Sequence, residues 1–221
     1  MPYRKVPFVT GEIYHVFNRS IAKQPLFITR RDFDRAIEMI RFFRLENPPV
    51  KFSYYQKLSA ERRKELKMDQ CGPVVEVLSF CLMPNHFHFL LRQTALDGIK
   101  KFTSNFQNSY SKYFNIKRKR TGSLFQSMFK GVRIEDDEQL LHVCRYIHLN
   151  PTSSFIVPEE KLEEYPWFSY LDYIYEKKLH DFITTNLVLN QFKDRESYKN
   201  FVIDQIDYQR QLDLIKHLIL E

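Results

Sequence analysis

Residues 74–91 read VVEVLSFCLMPNHFHFLL, two strongly apolar runs separated only by Pro84-Asn85. Runs this apolar, rich in Val and Phe and split by a tight-turn dipeptide, predict two antiparallel strands buried in a core. Side chains alternate along a strand, so His86, His88 and Leu90 share one face, while Phe87, Phe89 and Leu91 share the other. Two imidazoles one strand step apart in an apolar run require an explanation. They either form hydrogen-bonded structural contacts or share a metal ion, since a neutral imidazole nitrogen is a common ligand.

The rest of the chain supplies the frame. Gly11–Ser20 alternates and predicts a first strand, and residues 30–47 carry apolar positions at helical spacing that stop before Pro48-Pro49. A charged excursion follows over 46–73, with a short helix after Ser59. Beyond the hairpin, residues 96–120 predict a long amphipathic helix ended by Thr121-Gly122. Residues 123–134 predict a fourth strand, and 135–150 a helix with an acidic start that Pro151 closes. The first six elements follow the order β-α-β-β-α-β, which predicts an α+β fold, ferredoxin-like, with a four-stranded antiparallel sheet. The seventh element is an added helix. We divide the chain into a domain over 1–157, with 46–73 as an insertion, and a helical extension over 158–221 packed on the same domain.

The chain has 221 residues, 34 basic and 27 acidic. Lys100 to Arg133 holds nine basic residues and no acidic one, which leaves 25 against 27 elsewhere. Charge concentrated in one segment points to a polyanion partner. Aromatic rings interleave these cations, a mixture that stacking on bases and pairing with phosphates would use, although several recur at the spacing of a helix core. No apolar run is long enough for a membrane span, and the start lacks the apolar segment of a signal peptide. Three cysteines without metal-site spacing read as free thiols of a cytoplasmic protein.

On the 135–150 helix, Gln139, His142, Tyr146 and Asn150 fall within about 80° of arc, beside a separate apolar stripe of Leu140, Val143, Cys144 and Ile147. Tyr146 reads either as a core residue with its hydroxyl tied off or as a nucleophile. His148 lies on another side of the helix.

The motifs YHVFNRS, MPNHFHFLL, SLFQSMFKGVRIEDDEQLLHVCRYIHLNP and YPWFSY, in that order, resemble the single-tyrosine HUH transposases, most of all the REP-associated branch. The resemblance runs from about Tyr14 to Tyr173. Ser20 stands where the family often has glycine, and Phe168 where many relatives have serine. The resemblance implies a metal-dependent endonuclease and strand transferase acting on single-stranded or hairpin DNA through a 5′-phosphotyrosine. It implies Tyr146 as the catalytic nucleophile, and His86, His88 and Asn150 as ligands of Mg²⁺ or Mn²⁺. Asn18 and Arg19 match the family's Asn-Arg pair on the first strand. His15 and His142 match less firmly, and structural roles suit them better. For DNA contacts the basic segment offers Lys112, Lys117, Arg118, Lys119, Arg120, Lys130 and Arg133. The protein is expected as a monomer or homodimer with no membrane association. The alternative is a domesticated, non-catalytic DNA-binding protein on the same scaffold.

Overall fold

The computed structural model describes residues 7–206. Four strands, β1 (Ile13–Arg19), β2 (Val75–Met83), β3 (His86–Gln93) and β4 (Lys130–Arg133), form one antiparallel sheet in the order β2-β3-β1-β4. That order places β1 and β3, the first strand of each half, in the centre with β2 and β4 at the edges, and confirms the expected α+β sheet. The helices are α1 (Arg30–Phe43), α2 (Phe52–Tyr55), α3 (Ala60–Glu65), α4 (Gly98–Lys117), α5 (Asp137–Ser153), α6 (Tyr170–Ile174), α7 (Asn186–Leu189) and α8 (Arg195–Ile203).

One face of the sheet is covered by α1 and α4. Phe87 and Phe89 of β3 meet Phe102 and Phe106 of α4 edge-on, with ring centroids 5.2–5.5 Å apart. The start of α4 is fixed by a close approach. A Cβ at Gly98 would lie 2.0 Å from the Val74 carbonyl oxygen, so only glycine fits there. Gln93 Oε1 accepts from the Ile99 N–H at 3.1 Å, satisfying one of the first orphan donors of the helix.

Within this layer Asp32 of α1 is fully buried. It accepts hydrogen bonds from Lys117 Nζ at 2.6 Å, Tyr113 Oη at 2.7 Å and the Thr29 N–H at 2.9 Å. Burial disfavours its charge, but these donors outweigh burial and hold the carboxyl well below the ordinary carboxylate range. The Thr29–Asp32 pair also forms the capping box of α1.

The opposite face is covered by α5, which packs on β2 and β3, and by the segment after it. The 158–175 stretch, which reads as helical in sequence, holds a 3-10 helix (Glu159–Glu164) and α6, and the non-helical residues between them run along the edge of β2. The Leu82 N–H donates to Trp167 O at 3.0 Å, and the Ser169 N–H to Phe80 O at 3.0 Å. Tyr165 and Tyr173 hydroxyls donate to the Leu82 and Leu78 carbonyls at 2.6 and 2.8 Å. An exposed strand edge is a template for unwanted pairing, and this segment closes it. His148 of α5 joins the layers: its Nδ1 bonds Tyr198 Oη of α8 at 2.7 Å, and its Nε2 bonds Ser169 Oγ at 2.8 Å. Burial holds His148 down at about 3, so it is neutral in the folded protein.

Three boundaries differ from the sequence expectation. Helix α1 ends at Phe43, since the Leu45↔Pro73 bridge and the Glu46 N–H to Gly72 O bond at 2.7 Å pull the chain into the excursion. The fourth strand shrinks to Lys130–Arg133, with 123–129 joined to the sheet by a single Ser20↔Phe125 bridge. Pro151 lies inside α5, which continues to Ser153; at a helix end the ring removes only one bond of the ladder. The last part of the expected C-terminal helix, 207–221, lies outside the described residues.

Two outcomes test this account. Lys117→Met leaves a buried carboxylate short of its main partner and should lower stability by about 2 kcal/mol, whereas Lys119→Met, at an exposed position, should stay within about 0.5 kcal/mol in urea unfolding. The unfolded-state pKa of histidine is near 6.5 and the folded value of His148 is lower, so the unfolded state binds the extra proton first. His148 therefore contributes stability above about pH 6.5 that is lost as pH falls toward about 3. His148→Gln should be less stable at pH 7 but show a shallower decline of the urea midpoint on acidification.

Candidate active site

The β1–β3 register decides what surrounds the histidine pair. Arg19 lies opposite His86, Phe17 opposite His88, and His15 opposite Leu90. Residues directly opposite in an antiparallel pair point to the same face, so His15, Phe17 and Arg19 of β1 share the face of His86 and His88. Asn18 therefore points the other way. It is buried, donates from Nδ2 to Gln126 O at 3.2 Å, and accepts from the Arg19 N–H at 2.9 Å. Of the Asn-Arg pair, only Arg19 stands beside the histidines.

The rings of His86 and His88 are 5.0 Å apart, centroid to centroid, and nearly perpendicular. Tyr146 of α5 sets its ring 5.5 Å from His88 and 6.0 Å from His15, edge-on to both. It is half-buried, not sealed in the core. Asn150, one turn on, is buried; its Nδ2 donates to the Tyr146 carbonyl at 2.8 Å, and its side chain reaches His86. The four residues that the sequence singled out for chemistry thus converge in one chain, at the contact of α5 with β3.

The protonation pattern follows from the hydrogen bonds. Asn85 Oδ1 can only accept, so His86 Nδ1, 2.6 Å away, carries the ring proton. Burial, reinforced by the charge of Arg19, pushes His86 down to about 4 and keeps it neutral. Its Nε2 is then a lone-pair donor. The Asn150 amide, one N–H of which is held by the Tyr146 carbonyl, also hydrogen-bonds His86. His88 Nδ1 lies 2.9 Å from His15 Nε2, and burial holds His15 neutral as well, at about 4. Neutral imidazoles beside an amide are a donor set that fits a small divalent cation. Among the described residues no group of three or more His, Cys, Asp or Glu is placed to hold one, so the amide would have to complete such a set.

The basic residues divide among several places. Lys130 lies opposite Phe17 in the β1–β4 ladder and sets its Nζ 6.0 Å from that ring, so Lys130 and Arg19 flank the histidine face. Arg133 pairs with Glu12 at 2.8 Å on the far side. Lys117 and Arg118 face buried Asp32 at 2.6 and 3.7 Å, and Arg120 binds Asn115 Oδ1 at 3.0 Å and Ser123 O at 3.3 Å. Much of the cluster at 117–120 is thus occupied with holding α4 in place, with Lys119 exposed beside it. Lys112 is exposed on α4, in the layer away from the histidines. The rings among these cations are largely core: Phe102, Phe106 and Tyr110 are fully buried, with Phe114 at 4% and Phe125 at 7%. They cannot stack on bases. His142 sits on the rim, its Nδ1 accepting from Arg145 at 2.6 Å.

Sequence reasoning gave His15 a structural role, which its bond to His88 fits, and passed over Phe17, whose ring lies 5.7 Å from His88. Alternation along β1 could have grouped both with Arg19, but only the register shows that this group meets His88. Because Arg19 helps to depress His86, Arg19→Gln should raise the His86 pKa from about 4 toward the ordinary value, read by NMR titration of the imidazole resonances.

Residues 56–150 match the family model described as transposase, IS200 like. No curated protein matches the chain. A solved structure described as that of the REP-associated tyrosine transposase bound to a REP hairpin is similar over 79% of this chain and 85% of that chain, at 13% identity and a TM-score of 0.49. The matched segment, 95 of the 221 residues, holds both histidines, the tyrosine and the asparagine, and over it the chain is similar to the IS200-like transposases.

Proposed function

We propose that the protein is a single-tyrosine nuclease and strand transferase of single-stranded or hairpin DNA, with Tyr146 as nucleophile. The observation that carries this reading is the Tyr146 ring set edge-on against His88 at 5.5 Å while remaining half-open to solvent. A core tyrosine would be sealed, and the other tyrosines of this chain that reach β2, Tyr165 and Tyr173, are buried with hydroxyls bonded to carbonyls.

In this reading His86, His88 and Asn150 hold Mg²⁺ or Mn²⁺. Such an ion supplies Lewis-acid polarisation of a phosphate oxygen and neutralises charge on the leaving oxygen. The chain's own residues do the rest. Tyr146 Oη attacks the phosphorus and loses its proton to solvent at the open rim; the P–O3′ bond breaks, and the 3′ oxygen takes up a proton and leaves as a hydroxyl. The phosphodiester is kept as a tyrosine ester, so a second 3′-OH can attack it, restoring the phenol and rejoining a strand without an external energy source. Arg19 and Lys130 flank the histidines and would position the backbone of the bound strand. His15 acts through His88: by accepting the Nδ1 proton it fixes the tautomer that turns His88 Nε2 to the site. The tyrosine and histidines come from one chain, which supports a site assembled in cis.

The test uses labelled hairpin DNA, Mn²⁺ and a denaturing gel. Wild type should give a covalent adduct that Tyr146→Phe abolishes. His86→Ala and His88→Ala should weaken Mn²⁺ binding by at least about 10-fold in calorimetry. Metal-dependent cleavage that persists in Tyr146→Phe would assign the attack to water, and binding without cleavage would favour the non-catalytic alternative.

A further inference from the structure

Helix α5 packs on β2 and β3, so it covers only half of the sheet face that carries the histidines. The other half is formed by β1 and the edge strand β4. There Phe17 is half-buried, Arg19 and Lys130 are exposed, and Val132 is 52% exposed. This open surface adjoins the nucleophile: Tyr146 and Phe17 both set their rings against His15 and His88.

Phe17 is its centre. His88 lies opposite it on β3 and Lys130 opposite it on β4. The His88 ring stands nearly parallel to that of Phe17, 5.7 Å away at 23°, and takes one side of it. The side toward β4 meets only the Nζ of Lys130, at 6.0 Å and at the end of a flexible four-carbon stem. One flat side of the ring is therefore covered by a side chain that can swing aside. Val132, opposite His15, is the diagonal neighbour of Phe17 and widens the apolar surface.

The surrounding charge narrows the choice of occupant. Neither β1 nor β4 contains an acidic residue. Arg133 is paired with Glu12, but Arg19 and Lys130 make no ion pair among the described residues. Lys130 stands one strand away from Phe17, about 5 Å, and Arg19 two residues along β1, about 7 Å. One ring between two free cations offers stacking at the centre and phosphate pairing at the margins, the mixture that single-stranded nucleic acid uses. A paired base has both flat sides hidden in the duplex stack, so only an unpaired base can lie on the ring.

We infer that Phe17 is a stacking platform for one unpaired base of the strand held at Tyr146, with Arg19 and Lys130 on the phosphates beside that base. The inference deepens the proposed reaction and rests on it. Every base has a π face, so such a platform selects for an unpaired nucleotide next to the attacked phosphate and tolerates any base there.

The full chain is tested on a short single-stranded oligonucleotide and on copies that each carry one abasic nucleotide. Binding is read without metal, so that no strand is cut. Wild type should lose at least about 10-fold in affinity at one abasic position. Phe17→Leu should lose as much on the intact strand and then bind that abasic copy no more weakly than the intact one. Phe17→Trp should keep wild-type affinity, a result that misfolding cannot produce. Its added indole should be quenched by the intact strand, but not by that abasic copy or by a blunt duplex. Wild type, whose single Trp167 is stacked on Phe33, supplies the background signal. No abasic penalty in wild type, penalties unchanged in Phe17→Leu, or equal quenching by the duplex would overturn the inference. The Tyr146 adduct formed with Mn²⁺ reads the chemistry separately: stacking without an adduct would remove the reaction and keep the platform. Failure of wild type to bind any strand would remove both.

Discussion

The register of β1 against β3 is the constraint on which the site depends. It sets His15, Phe17 and Arg19 against Leu90, His88 and His86, and turns both strands' apolar partners toward α1 and α4. A slip of one residue would exchange the two faces, putting the imidazoles among Phe102 and Phe106 and the phenylalanines beneath Tyr146. Such a slip would bury polar groups without partners and strand large rings, so the same hydrophobic pattern that builds the core also fixes the chemistry. The sheet is a partition: carbon on one side, an unusual concentration of lone pairs on the other.

Around that partition the two covering layers differ in how they are held. The α1–α4 layer is fastened by Phe packing and by one buried carboxylate, Asp32, whose neutralisation uses part of the basic segment. The α5 layer is fastened by hydrogen bonds to β2 carbonyls and by His148, which links α5 to Ser169 and Tyr198. These contacts hold α5 rigidly, and a rigid α5 is what keeps Tyr146 against His88. Residues far from the histidine pair thereby position Tyr146.

The basic character of the protein has two sources that sequence alone merges. The run from Lys100 to Arg133 looks like one binding element. In the fold it separates into Lys130 beside the histidines, Lys117 and Arg118 against Asp32, and Lys101 and Lys112 along the α1–α4 groove. Arg31, Arg35 and Lys51, which belong to a nearly neutral part of the chain, join that groove. Charge density along a chain does not predict charge density on a surface, because helices and loops distant in sequence contribute to one face.

The amino-acid sequence by itself determined the element order, the buried hairpin, the same-face placement of His86 and His88, and the stripe that carries Tyr146 and Asn150. Those are consequences of periods of 2 and 3.6 residues, which are local. Only the tertiary structure decided that Asn18 faces away while His15 faces in, that the rings of α4 are core, and that the YPWFSY segment closes the edge of β2. It also decided that α5 lays its tyrosine on the histidine pair. Each of these depends on which distant segment lies opposite, and that is set by how apolar faces from the whole chain can be buried together, a condition no single window of sequence contains.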